Sequence, residues 1–279
     1  MTQGQPAPVA QPVTTDRITL IAISALSYVV ATFLHELVGH GGACLALGSR
    51  LIEVGAFYGN CDYKGMSDVG IRLVALAGPV VSLLTGIVSL LVLRRLRTPA
   101  FRAKYFTWLL GSLGLMLATG YLLFSGVSGL GDFGTSRDGV FYQATPAWAW
   151  QIALTIVGIA SYFLIAFIAA QAMDSIIGGA GVERIHRARL LALTSYLTGG
   201  VVAVLIGLLN PLGIIIVLES AAASSLGGSS GLLWMMQLLK RKAASPASPL
   251  RFERSWRWIA ASVLLVLLYA GILGPTLRP

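Results

Sequence analysis

In the run His35-Glu36-Leu37-Val38-Gly39-His40, three ionisable side chains fall within six residues of an otherwise apolar stretch. Ionisable groups in such a stretch are costly to bury and point by default to function. Two imidazoles and a carboxylate suit a zinc site. In the H-E-x-x-H motif the histidines lie four apart on one helix face and bind Zn2+, and the glutamate serves as general base. Here His35 and His40 are five apart. On a regular helix that separates them by about 140° around the axis, too far to share an ion. A π-bulge near Gly39 absorbs the extra residue, and Gly39, Gly41 and Gly42 make the backbone permissive there. The other repair pairs Glu36 with His40, four apart, and makes Glu36 a ligand. The bulge is the preferred reading. The plainer reading is a polar cluster hydrogen-bonded between helices.

The segment resembles the zinc-binding helix of the site-2 protease family of intramembrane metallopeptidases. A second stretch, Ala75-Leu76-Ala77-Gly78-Pro79-Val80-Val81-Ser82, is similar to that family's A-G-P-x-x-N element, with Ser82 where Asn is usual. Between them Leu51 to Lys64, with a turn signal at Gly59-Asn60, reads as a small hairpin. These features cover roughly the first third of the chain. The resemblance implies a zinc peptidase with His35 and His40 as ligands and Glu36 as catalytic base.

It also implies a third ligand, an acid in a later helix of the family. Leu209-Asn210-Pro211 followed by Leu218-Glu219-Ser220 is loosely similar to that element, with Glu219 replacing Asp. Counting along a helix from Pro211 puts Glu219 about 12 Å below the surface, near the depth of His35. A buried carboxylate paired with another helix is an equal reading of Glu219. Asp132, in Gly129-Leu130-Gly131-Asp132-Phe133, is the competing ligand, and reads more simply as a turn residue among glycines. His186, among arginines, reads as solvated. The small residues from Ser220 to Gly231 favour close helix packing; a slot for a substrate backbone is the weaker reading.

The elements that must hold these residues are membrane-spanning helices. Only 11% of the 279 residues are charged, against about 25% in soluble domains, too few to cover a water-facing surface. Uncharged runs occupy Ile18–Leu34, Leu73–Leu93, Tyr105–Gly131, Val140–Met173 and Trp258–Leu277, while Leu190–Leu239 holds only Glu219 and is divided at Asn210-Pro211. At about 20 residues per crossing the expectation is an all-α polytopic bundle of seven helices, six being the nearest alternative. Residues 1–17 read as a disordered N-terminus without a cleavable signal peptide, and 18–277 as one transmembrane domain. The basic loops Arg94–Lys104, Arg184–Arg189 and Lys240–Arg257 alternate onto one side, which the positive-inside rule makes cytoplasmic, together with the N-terminus. That pattern suits the plasma membrane and anionic lipid, not nucleic acid. Cys44 and Cys61 read as two free thiols, a bridge being the other reading.

Four functions remain open. They are an intramembrane zinc protease with a membrane-protein substrate, a non-catalytic metal-binding relative that regulates a membrane-protein partner, a transporter with a broken helix at Asn210-Pro211, and a membrane hydrolase acting on another bond. No internal repeat supports the transporter.

Overall fold

The computed structural model describes residues 15–96, 100–136, 138–214, 217, 223, 225–239, 244–245 and 252–279. Helix α1 (Arg17–Phe33) is capped by Asp16, whose carboxylate accepts from Thr19 N, and runs without a break through Leu34–Gly41 into α2 (Gly42–Ala46). A hairpin follows, β1 (Leu51–Val54) with β2 (Gly59–Cys61). Then come α3 (Asp68–Arg95), α4 (Phe101–Ser128), α5 (Ala147–Ile177), α6 (Gly181–Gly207), α7 (Gly231–Leu239) and α8 (Trp256–Leu273).

Six of these segments are long and apolar enough to cross a membrane: Arg17–Ala46, α3, α4, α5, α6 and α8. The shortest has 18 residues, close to the length a bilayer core requires. The chain is therefore an all-α polytopic bundle of an integral membrane protein. The seventh expected crossing falls on residues 211–239, part of which lies outside the described residues; within it α7 has nine residues.

Apolar side chains cover the outside. Leu84, Val88 and Leu91 of α3, Ile156 and Phe163 of α5, and Leu264 and Leu267 of α8 are all exposed. Inside, polar groups join helices. Tyr105 OH lies 2.8 Å from Ser24 Oγ and 2.5 Å from Ser195 Oγ, tying α4 to α1 and α6, and Trp108 Nε1 donates to the Ala169 carbonyl of α5. With lipid outside, such bonds and close packing replace the hydrophobic drive between helices.

Both ends of the bundle are laced. At one, Arg254 pairs with Asp16 at 3.0 Å and Arg102 donates to the Glu253 carbonyl. At the other, Val54 exchanges two 2.8 Å backbone bonds with Leu277, and Asn210 Nδ2 donates to Thr276 Oγ1 at 2.8 Å. Asn210 Oδ1 also accepts from Leu212 N, the turn expected where Asn-Pro stops a helix.

Three details differ from expectation. Arg184 and Arg187 stand on α6 rather than in a loop. Arg184 is buried and ion-paired with Asp174, and Arg187 pairs with Glu183 at 2.7 Å. Cys44 and Cys61 form a disulfide rather than free thiols, because the hairpin folds the segment after α2 back over the end of that helix and brings their Cα atoms to 5.8 Å. The hairpin turn spans Gly55 to Tyr58, closed by Gly55 N on the Tyr58 carbonyl, so Gly59-Asn60 belongs to β2.

Candidate metal centre

The extra residue between the histidines is absorbed in the way the preferred reading expects. Leu34 to Gly41 form a π-helical turn inside the first crossing. In an i→i+5 turn, residues five apart lie one above the other, so His35 and His40 share a face. Their rings meet edge to face with centroids 4.9 Å apart, and their Nε2 atoms are 3.3 Å apart. The regular-helix alternative, with His35 turned away, is not what the chain forms.

Each imidazole is held from behind. His40 Nδ1 lies 2.8 Å from the Val74 carbonyl of α3. A carbonyl only accepts, so Nδ1 carries the hydrogen, and whenever the ring is neutral its Nε2 lone pair is the one turned to the cluster. His35 Nδ1 lies 2.9 Å from Ser82 Oγ, also on α3. The ring of His35 stacks on Tyr121 of α4, centroids 4.8 Å apart and planes inclined by 7°. Such outer contacts orient metal-ligating histidines.

The Ala-Gly-Pro stretch has a steric reason. Gly39 and Gly78 cross with no room between them, since a Cβ on Gly39 would lie 2.6 Å from the Gly78 Cα. A Cβ on Gly78 would collide with His40 and approach His35 Cε1 to 2.9 Å. Pro79 follows inside the helix and withholds the N–H that would normally reach the Ala75 carbonyl.

Asp132 completes the cluster. The loop after α4 leaves the helix through Gly129 in the left-handed region, φ 73°. It folds back, with Phe133 N on Ser125 Oγ and Val140 N on the Asp132 carbonyl at 2.8 Å. This brings Asp132 Oδ2 to 3.2 Å from His35 Nε2 and Oδ1 to 3.4 Å from His40 Nε2. Oδ2 is buried and makes no hydrogen bond of acceptable geometry. Burial alone would raise the Asp132 pKa, but the neighbouring His40 and His35 outweigh it and hold the carboxyl well below its usual range. The turn-residue reading of Asp132 thus gives way to a carboxylate facing both imidazoles. Its address in a glycine-rich loop concealed this, and no sequence signal marked the loop as folding inward. Glu219 lies outside the described residues.

Glu36 is buried, and one of its carboxylate oxygens falls with a nitrogen of His35 and of His40 inside a group whose members are within 4.8 Å of one another. His186, on α6, is exposed and distant in sequence from the cluster, as a solvated side chain should be.

Glu36, His40 and Asp132 line a cavity of about 680 Å³ together with Tyr58, Asn60 and Tyr121. A second, more apolar cavity of about 340 Å³ lies between α4, Tyr162 of α5 and the small residues Ala223, Gly227 and Gly228. The two share Tyr121, Phe124, Ser128 and Ala223 as lining.

The donor set fits a zinc ion. Two imidazole nitrogens and a carboxylate converge, the other nitrogens are held from outside, and Asp132 Oδ2 is left without a hydrogen bond. Two imidazole nitrogens and a carboxylate pointed at one spot need protons or a cation between them. No protein-family model, curated protein or solved structure matches the chain.

Proposed function

We propose that this protein is a zinc-dependent intramembrane metalloprotease of the site-2 type. The reading is carried by the convergence of His35, His40 and Asp132 beside the buried Glu36. His35 Nε2, His40 Nε2 and the Asp132 carboxylate would hold the ion, a three-ligand set that leaves a position open as in catalytic zinc sites. When bound, zinc supplies electrophilic polarisation of a carbonyl and acidification of water.

Glu36 then moves the proton. Its carboxylate takes a proton from the attacking water as oxygen adds to the peptide carbonyl carbon. It returns that proton to the departing nitrogen as the C–N bond breaks. Ser82 and the Val74 carbonyl keep the rings oriented during this exchange. The apolar cavity beside Tyr162 supports entry of an extended substrate segment from the lipid side, since its lining is shared with that of the site.

The same reading puts the protein in the plasma membrane with its N-terminus in the cytoplasm. Basic residues gather at the end of the bundle where α1 begins, and the disulfide lies at the opposite end. Positive charge favours the cytoplasmic face, and disulfides persist outside it.

The test is metal analysis of the purified full-length protein. Wild type should carry about one zinc per chain. His35→Ala, His40→Ala and Asp132→Ala should each lose it, and Glu36→Gln should keep the zinc while abolishing cleavage of membrane-embedded peptides. Zinc retained in Asp132→Ala but lost in Glu219→Ala would move the third ligand to Glu219. Wild type without zinc would end the metalloprotease reading.

A further inference from the structure

At the end of the bundle away from the histidines, the close of α3, the start of α4 and the last turns of α5 enclose a cavity of about 460 Å³. Its lining is divided. Leu90 and Ile168 lie a turn deeper along their helices, while Arg94, Lys104, Gln171 and Ser175 line the end nearer the α3–α4 connection. Arg94 is exposed and Lys104 half-buried, and among the described residues no acid lines the cavity and no ion pair reaches either cation. Asp174, on the adjoining turn of α5, is ion-paired with Arg184. Glu253 meets Arg102 through its backbone carbonyl. The stretch from Arg94 to Lys104 carries five basic residues and no acidic one.

We propose that this cavity binds the headgroup of an anionic phospholipid, the phosphate seated between Arg94 and Lys104 and the acyl chains descending past Leu90 and Ile168. The chemistry on each side fits. An arginine and a lysine offer charge-assisted hydrogen bonds to phosphate oxygens. Ser175 Oγ already donates to the Ala172 carbonyl at 2.6 Å, which leaves its lone pairs for a headgroup hydroxyl. The volume exceeds what a bare phosphate fills, and the apolar wall would be wasted on a soluble anion. Basic pockets between spanning helices are a recurrent seat for such headgroups. A zwitterionic lipid would bring its own cation to a pocket whose described lining residues include no acid to receive it.

The site is independent of the metal centre and is tested separately. Full-length protein is purified in detergent, stripped of lipid and titrated with phosphatidylglycerol or phosphatidylcholine, retained lipid being counted by native mass spectrometry. Wild type should retain phosphatidylglycerol in preference to phosphatidylcholine. Arg94→Gln with Lys104→Gln should weaken phosphatidylglycerol binding by roughly 30-fold, whereas Arg94→Lys with Lys104→Arg should restore it. Arg95→Gln with Arg189→Gln, two exposed cations outside the cavity, should change little. Thermal melting of each variant in lipid-free detergent identifies any that fail to fold. Three results would overturn the proposal: binding unchanged in the folded glutamine pair, equal loss in the Arg95 and Arg189 pair, or displacement of the lipid by millimolar inorganic phosphate.

Discussion

Gly78 shows how little room the histidine cluster has. Its missing side chain is the floor on which both imidazoles rest, and its Cα is the contact for Gly39. A methyl group there meets ring atoms on one side, and on the other the helix crossing is already closed. Gly78→Ala should therefore cost about 1–3 kcal/mol through overpacking and push His40 off the Val74 carbonyl. Gly271 is the natural control. It sits inside α8 with nothing within 4 Å of a would-be Cβ, so Gly271→Ala should be neutral or stabilise the helix by about 0.5–1 kcal/mol. Thermal melting of the two variants side by side checks this; equal melting points would show that the crossing is looser than described.

At the scale of elements, the π turn lets a five-residue spacing do what a four-residue spacing does elsewhere. A π turn is a single residue inserted into an α-helix, so removing one residue restores the ordinary helix and preserves the register on both sides. Val38 is the residue to remove, because its side chain is 47% exposed and turned away from the cluster. Deleting Val38 should leave a folded protein with His35 and the second imidazole four apart on one face, and zinc occupancy should match that of wild type. A folded deletion variant without zinc, beside a zinc-bearing wild type, would show that the π geometry itself is needed. The hairpin is the second positioning element. Gly59 of β2 lies against the Glu36 backbone, and the Cys44–Cys61 bridge pins the strand to α2 beside it.

For the whole molecule the decisive feature is that its two ends differ chemically. One end collects the basic residues around α1, α4 and α8, and the other carries the disulfide, the hairpin and the Asp132 loop. Orientation can be read with single cysteines, because Cys44 and Cys61 are joined and no free thiol competes among the described residues. Ser136→Cys, in the Asp132 loop, should label with a membrane-impermeant maleimide on intact cells. Ser245→Cys should label only after permeabilisation. The opposite pattern would invert the topology and put the candidate metal centre at the cytoplasmic face.

The sequence by itself determined that the chain spans a membrane as helices, because a shortage of charge and the length of uncharged runs are properties of composition that lipid imposes directly. It also singled out His35, Glu36 and His40 as candidates for chemistry, and made a π turn the preferred way to bring both histidines to one face, because helical periodicity is local. The partner of those residues was not legible in the same way. Asp132 lies 97 positions beyond His35 and reaches it only because the loop after α4 folds inward over α3. The pairing of Cys44 with Cys61 likewise depended on how the hairpin closes, and the burial of Arg184 on where α5 ends against α6. Contacts between segments distant in the chain depend on how helices pack, and only the tertiary structure decides that.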